Sequence, residues 1–518
     1  MPSGLVWRNQ YQTTIDENTN GRSCFKTSDL RWTYGAAVIL QPHDRVLIGG
    51  ELVEIGSEIA NAFLDGDRLI ATTSAGILLV PKSDSDLVSS CISASIDAFS
   101  VLGDITDSQI MSFYEGFARR LKDEAIFSQI REANERNVAD AQAKGRSTTR
   151  LVLSESMRQD MIDALLIWKE LVTSSTVRET VNHDGWSVES HVAPLGVVGF
   201  VFEGRPNVFA DATGVLASRN VCVFRIGSDA LETARAIMDL AVTPSLQEAG
   251  LPLASVLLLP SKTHAAAWAL FSDKRLSLAV ARGSGSSVAL LGEIAQQHGI
   301  PASLHGTGGA WMIVSNVEDA DRLKNVVQNS LDRKVCNTLN TVVLTTKSLD
   351  NSLQSVIDGV VHAAQRRKTH AVLHVDGGVA SALDNCTVPQ EFVVEAVDHS
   401  NLGTEWEWEN IPEISIVVVD NVTAAVELFN ANSPSFVLSV ISDDEAEVDQ
   451  AWSKCNAPFF GDGVTRWVDG QYALRKPELG LSNWQNGRTF ARGGILSGDS
   501  IYTVRYRVRQ TDAEVKRQ

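Results

Sequence analysis

The stretch Gly196-Val-Val-Gly-Phe-Val-Phe202 runs straight into Glu203-Gly-Arg-Pro-Asn207, apolar at every position before it turns polar. A strand with one wet face alternates apolar and polar residues. One without alternation is buried on both faces, as in a parallel sheet. Outward from this run, strand and helix patterns alternate: a small-residue helix over 210–218, a strand at 221–225, a helix over 229–249, a strand at 255–259, a short helix, a strand at 276–281 and a helix over 286–298. That alternation predicts a doubly wound α/β sheet of the Rossmann type, which takes ligands at the carboxyl ends of its strands. Three loops fall there: Glu203–Asn207, Arg225-Ile-Gly-Ser228 and Arg282-Gly-Ser-Gly285. The last is not the full Gly-x-Gly-x-x-Gly fingerprint, but it opens a helix, whose free N–H groups and positive dipole end suit a phosphate.

A second α/β region is expected over 306–480, with strands near 311–314, 341–344, 371–374, 414–419 and 437–441. Upstream, Ile110, Phe113, Phe117 and Leu121 recur at helical spacing, and a second helix passes Ile126 and Ile130 toward Gly145. Residues 181–192 read as a hairpin turning at Asp184-Gly185, and 501–508 as a final strand able to pair with it. Residues 1–88 read as an appended β-rich module, with runs at 36–40, 46–48, 69–72 and 77–80 and a junction at Ser83-Asp84-Ser85-Asp86. The expected division is therefore this module at 1–88, a cofactor-binding domain at 89–305, a catalytic domain at 306–480, and a return over 481–518 that ends in an oligomerisation strand.

The chain has 518 residues, 45 Lys+Arg against 63 Asp+Glu, and a net charge of −18. So acidic a surface argues against nucleic-acid backbones and anionic membranes as partners. No run is expected to span a membrane, and the first residues lack a secretory layout, so a cytoplasmic enzyme is the expectation. The six cysteines are scattered, suggesting neither a metal site nor a disulfide framework.

A lone cysteine is usually a small buried hydrophobe. Cys336 differs, because it lies in the polar segment Arg333-Lys-Val-Cys-Asn-Thr338, where two cations would favour the thiolate. Cys222 sits within a strand and reads as packing. His305 reads as a structural histidine, with proton donation as its alternative. The run Glu405-Trp-Glu-Trp-Glu409 reads as a solvated turn from which one carboxylate could reach a ribose.

Together these residues resemble the gamma-glutamyl phosphate reductase branch of the aldehyde dehydrogenase superfamily. Pro194 to Val208 is similar to that family's Pro-x-Gly-x-x-Gly strand closing in Glu-Ala-Arg-Pro-Asn. Ala249-Gly-Leu-Pro252, Val335-Cys-Asn-Thr338, Asn456-Ala457, Thr465-Arg-Trp-Val-Asp-Gly470, Glu478-Leu-Gly-Leu-Ser482 and Ala491-Arg-Gly493 then follow in the family's order. The resemblance covers about 89–508 and implies an aldehyde-dehydrogenase-like fold. It implies Cys336 as a thiolate that attacks an activated acyl carbon, with Asn207 and the Cys336 N–H holding the oxyanion. It implies NADPH, with Arg225 and Gly227 near the adenosine ribose, a neutral Ser228 leaving room for a 2′-phosphate, Arg282, Gly283 and Gly285 at the diphosphate, and Glu405 at the nicotinamide ribose. Arg205, Asn337 and Arg492 are the implied substrate contacts.

Hydrolytic relatives carry a carboxylate that activates water in a Glu-Leu-Gly-Gly segment. Here the stretch is His305-Gly-Thr-Gly-Gly309, which favours reduction of a persisting acyl-enzyme. Three segments depart from the family pattern, Asn432–Ser439, Leu331-Asp-Arg333 and Trp484-Gln-Asn-Gly487, and point to a different acyl pocket. The leading expectation is reduction of a small acyl phosphate made by an upstream kinase. The alternatives are reduction of a thioester on coenzyme A or a carrier protein, and a non-catalytic binding protein on the same fold. A homodimer or homotetramer is expected through the hairpin and the final strand.

Overall fold

The computed structural model describes residues 40–48, 51–146, 148, 150–172, 177–468, 470–481 and 494–515. At its centre Val197–Phe202 is buried at all six positions. It lies in a five-stranded, all-parallel sheet whose order is Ala302–His305, Leu278–Arg282, Val197–Phe202, Val221–Ile226 and Val256–Leu258. Phe202 pairs in register with Arg282 on one side and Ile226 on the other, and Arg282 with His305. Four strands therefore end at one level, and the three expected loops emerge side by side. The edge strand Ala302–His305 was not anticipated, since four residues with Ser303 and His305 among them carry little apolar signal. The helix expected over 229–249 is broken into a short 3₁₀ turn, Leu231–Ile237, a π turn at Met238–Val242 and Thr243–Ala249. The π turn precedes Pro244, which has no N–H to give the helix.

A seven-stranded parallel sheet follows, in the order Val393–Ala396, Val372–Val375, Glu413–Val419, Leu339–Thr345, Ala310–Val314, Val437–Ile441 and Phe459–Gly461. Both edge strands escaped the sequence reading, and the first is exposed at every position, so it has no buried face to betray it. The Val177–His183 and Trp186–Pro194 hairpin turns at Gly185 (φ 79°) and pairs with Tyr502–Gln510 from Trp186 to Pro194.

Residues 40–80 form two antiparallel hairpins, Arg45–Ile48 with Glu51–Glu54 and Arg68–Thr72 with Gly76–Val80. Of the run expected at 36–40 only Leu40 is described. The second hairpin's turn docks on the helix Gly285–Gln297, where the Glu293 carboxylate accepts from the hydroxyls of Thr73 (3.0 Å) and Ser74 (2.8 Å). The expected junction at Ser83–Asp86 is instead the first turn of the helix Lys82–Val101. Asp84 is buried there, accepting from Thr263 Oγ1 (2.9 Å) and Ser261 Oγ (3.2 Å), so this polar run is a tie and not a linker. By length and composition this helix could cross a membrane, contrary to the sequence expectation. Its Val88, Ile92 and Ala98 nonetheless join the same core as the five-stranded sheet.

Candidate active site

Cys336 sits half-buried in a turn just before Leu339–Thr345. Thr338 shapes the turn: its hydroxyl donates to the Arg333 carbonyl (2.6 Å) and accepts from the Val335 N–H (2.9 Å). The Asn337 carbonyl accepts from Thr465 Oγ1 (2.8 Å). On the other side the Gly309 N–H donates to the Cys336 carbonyl (2.7 Å), and Gly308 lies so close that a Cβ there would fall 2.6 Å from Cys336 Cα. Only glycine admits this stack.

The charges acting on the sulfur are not those adjacent in sequence. Burial pushes the Cys336 thiol up, Glu478 and Glu405 add to that, and Arg205 and Arg282 oppose it. Lys334, expected to favour the thiolate, is instead paired with Glu405 (2.5 Å), with side-chain exposures of 5% and 13%. Arg333 is exposed. Arg282 is held by Asp211 (3.1 Å) and lies 3.8 Å from Glu478. Burial works against its charge, but these carboxylates prevail and its pKa is raised. Among the described residues Arg205 has no such pairing: burial together with Arg150 and Arg282 brings its pKa down to about 10. His305 is pushed down to about 3 by burial and by Arg282 and Arg205. It is a neutral imidazole beside Phe436, with a backbone bond to Leu481, so the structural reading of this histidine stands.

The expected substrate contacts divide. Arg205 lies near enough for its charge to oppose the rise in the Cys336 pKa. Asn337 does not offer its side chain: it is buried, donating to the Val468 carbonyl (2.6 Å) and accepting from Arg466, because the turn needs a brace there. Arg492 lies outside the described residues, as do Trp484–Gly487. Asn207 begins the helix Val208–Thr213, and its Oδ1 is buried without a partner among the described residues. Since amide oxygen and nitrogen are interchangeable in assignment, either end would leave a polar atom for a ligand to answer.

Of the expected cofactor contacts, Arg225 is buried, which lowers its pKa, and among the described residues it gives one bond, to the Lys262 carbonyl (3.3 Å), while its Nε has none. Gly227 crosses Gly204 so closely that a Cβ would sit 3.0 Å from the Gly204 nitrogen, and Ser228 follows. At the expected diphosphate loop two donors are already engaged. The Gly283 N–H reaches the His305 carbonyl (3.1 Å) and the Ser284 N–H reaches the Glu203 carboxylate. An acidic side chain at a helix N-terminus takes the place assigned to an anion. The Arg282 guanidinium is committed to Asp211 and Glu478 and does not serve this loop. Glu405, expected at a ribose, spans Lys334 and the Gly308 N–H (2.5 Å). Glu478 is a site residue that sequence reasoning missed. It stood in a quoted motif, but only the packing of Glu478–Leu481 against Leu278–Arg282 and Ala302–His305 reveals its role. Among the described residues no cluster of His, Cys, Asp or Glu could hold a metal.

No protein-family profile matches the chain. It is 28% identical to a gamma-glutamyl phosphate reductase of Bradyrhizobium diazoefficiens over 416 residues, covering 77% of this chain and 88% of that one. Likewise it is 28% identical to one from Nitrobacter winogradskyi, covering 79% and 92%. The crystal structure of the Thermotoga maritima gamma-glutamyl phosphate reductase superposes with a TM-score of 0.72 at 22% identity, covering 83% of this chain and all of that one. An acetylating aldehyde dehydrogenase of Geobacillus thermoglucosidasius superposes at 0.59 and 14%, covering 84% and 99%. In sequence the chain is a divergent relative of the gamma-glutamyl phosphate reductases, and its fold is the α/β fold of the aldehyde dehydrogenases.

Proposed function

We propose that this chain is an oxidoreductase that reduces an acyl phosphate of the gamma-glutamyl type to an aldehyde through a thioester on Cys336. The observation that carries the reading is the half-buried Cys336 held against Gly308 and Gly309, within the field of Arg205 and Arg282 from the carboxyl end of the five-stranded sheet. The Cys336 sulfur attacks the acyl carbon and gives up its proton to the departing phosphate, a C–S bond forms, and the C–O bond to phosphate breaks with phosphate keeping the electron pair. The Asn207 amide and the Cys336 N–H would hold the oxyanion that develops between those events. Arg205 contacts the substrate. The burial that raises the thiol's pKa also keeps water from the thioester.

The strand ends fit a nicotinamide dinucleotide phosphate. Arg225 carries a buried nitrogen without a partner, Ser228 adds no negative charge, and the Gly204–Gly227 crossing is a cradle that a Cβ would fill. When bound there, NADPH supplies the hydride that reduces the thioester carbon. Glu203 would yield the helix N-terminus at 283–285 to the diphosphate, and Glu405 would reach the nicotinamide ribose. The substrate class implies a kinase upstream. The hairpin sheet has two free edges with Val177, Val181, Tyr506 and Val508 exposed, which suits a homodimer or homotetramer.

The test supplies kinase-generated gamma-glutamyl phosphate and follows NADPH loss and phosphate release together. Equal amounts of both are expected, and Cys336→Ala should abolish both. Turnover that survives this substitution refutes the thioester, and release of a free thiol from an acyl thioester in place of phosphate refutes the leaving group.

A further inference from the structure

Counted in chain order from Val197–Phe202, the five-stranded sheet runs third, second, first, fourth and fifth strand from one edge to the other. In sheets of that order the loop leaving the second strand meets the adenosine ribose of a dinucleotide. A carboxylate there accepts from the 2′-hydroxyl, whereas an arginine there admits a 2′-phosphate. Here the second strand is Val221–Ile226, and the loop is Gly227-Ser228-Asp229. It holds one carboxylate, Asp229, and follows one arginine, Arg225, so its residues alone point both ways.

The geometry separates the two. Arg146 Nη1 donates to both Asp229 oxygens, at 2.6 and 2.7 Å. Glu232, the next carboxylate along, lies 3.6 Å from Arg136. Arg225 is left with a buried Nε that has no partner among the described residues. Packing sets Arg146 in its place. The helix Glu124–Ala143 ends on Gly145 (φ 66°), and the Arg146 N–H returns to the Ala141 carbonyl (2.9 Å), which fixes where the arginine side chain starts. The same helix is locked to the segment after Asp229. Buried Asn137 accepts from the N–H and the hydroxyl of buried Thr233, both at 2.9 Å. Arg146 and Asp229 therefore meet across a joint that the core holds.

The pair is part-exposed, with side-chain exposures of 53% and 27%, so it adds little to stability. Its effect is on charge and reach. A carboxylate with both oxygens engaged neither accepts from a ribose hydroxyl nor opposes a phosphate with its full charge. We infer that Arg146 is a specificity-determining residue, which selects NADPH over NADH by holding Asp229 out of the adenosine site. The inference rests on the NADPH reading above. Arg146 acts through Asp229, and Arg225 is the group left to receive the 2′-phosphate.

Fluorescence titration of the full chain with NADPH and with NADH reads this without turnover. Wild type should bind NADPH more tightly. Arg146→Met should weaken NADPH binding about five- to tenfold and leave NADH within about twofold, because the freed carboxylate repels only the ligand that carries a 2′-phosphate. Arg146→Lys should keep part of the preference. The double variant Arg146→Met with Asp229→Asn should return to within about threefold of wild type for NADPH, since no carboxylate is left to hold. NADH binding in each variant reports that the site is folded. Equal losses for both cofactors in Arg146→Met overturn the inference. So does a double variant as weak for NADPH as Arg146→Met, which would mean that Arg146 meets the phosphate itself. Both results leave the NADPH reading and the thioester on Cys336 standing. A wild type that binds NADH as tightly as NADPH overturns the NADPH reading together with the inference.

Discussion

Substituting Gly308→Ala should cripple this enzyme without unfolding it. The new Cβ would lie 2.5 Å from the Cys336 carbonyl oxygen and 2.6 Å from its Cα, both backbone atoms that no rotamer change can remove. Restoring an ordinary 3.4 Å contact requires the nucleophile turn to move by about 0.9 Å. Gly308 cannot yield instead, because its N–H is tied to Glu405 (2.5 Å) and the next N–H to the Cys336 carbonyl (2.7 Å). Overpacking of this kind costs about 1–3 kcal/mol of stability. A displacement near 1 Å at a reacting atom costs about a hundredfold in rate. Single-turnover acylation of Cys336 measures the second quantity and thermal unfolding the first. Gly103→Ala is the control, since nothing lies within 4 Å of its added Cβ. If Gly308→Ala acylates within about threefold of wild type, the account of this stack as a template for the nucleophile is wrong.

Glu478→Gln removes a carboxylate that raises the Cys336 pKa and loosens its hold on Arg282, which lowers it. The pH profile of Cys336 alkylation should therefore move to lower pH, and a move upward would contradict the charge assignment. His305 is held at about 3 against an ordinary 6.5, so below pH 6.5 the unfolded chain binds the extra proton. The stability tied to that histidine is complete above about 6.5 and is lost as pH falls toward 3. Between pH 7 and 4.5 the urea midpoint of His305→Gln should fall less than that of the wild type. Arg225→Met should weaken NADPH binding about tenfold and NADH binding less, by fluorescence titration; equal losses would place Arg225 away from the 2′-phosphate.

How much of this was legible follows from what a one-dimensional pattern can encode. The unbroken apolar run at 196–202 identifies a two-sided strand because burial acts on each residue separately, and the 3.6-residue spacing from Ile110 to Leu121 is local in the same way. The edge strands Val393–Ala396 and Ala302–His305 lack a buried face or length and leave no such mark. At the site, Cys336 stood out by its polar flanks and by resemblance, but adjacency misassigned its electrostatics. Lys334 is next but one in sequence yet spends its charge on Glu405, whereas Arg205 and Arg282 arrive through the register that levels Phe202 with Arg282. Asn337 looked available because a polar side chain beside a nucleophile is suggestive, and only the tertiary positions of Val468 and Arg466 show it as a brace.

The sequence argument for reduction over hydrolysis began from the missing carboxylate in His305–Gly309, yet the fold brings two carboxylates, Glu405 and Glu478, into the field of the same sulfur. The argument survives because neither is free to activate water. Both Glu405 oxygens are engaged, by Lys334 and by the Gly308 N–H, and those of Glu478 face Arg282 at 3.8 Å and the Gly470 N–H at 3.2 Å. A general base must present an unengaged lone pair within one water of the carbon it serves. Added to burial, which contributes most, the charge of these carboxylates holds the resting sulfur as a thiol less open to oxidation. An acyl phosphate carries a good leaving group, so it tolerates a nucleophile that loses its proton only as substrate arrives. A substrate with a poor leaving group would need a free thiolate, with the arginines unopposed.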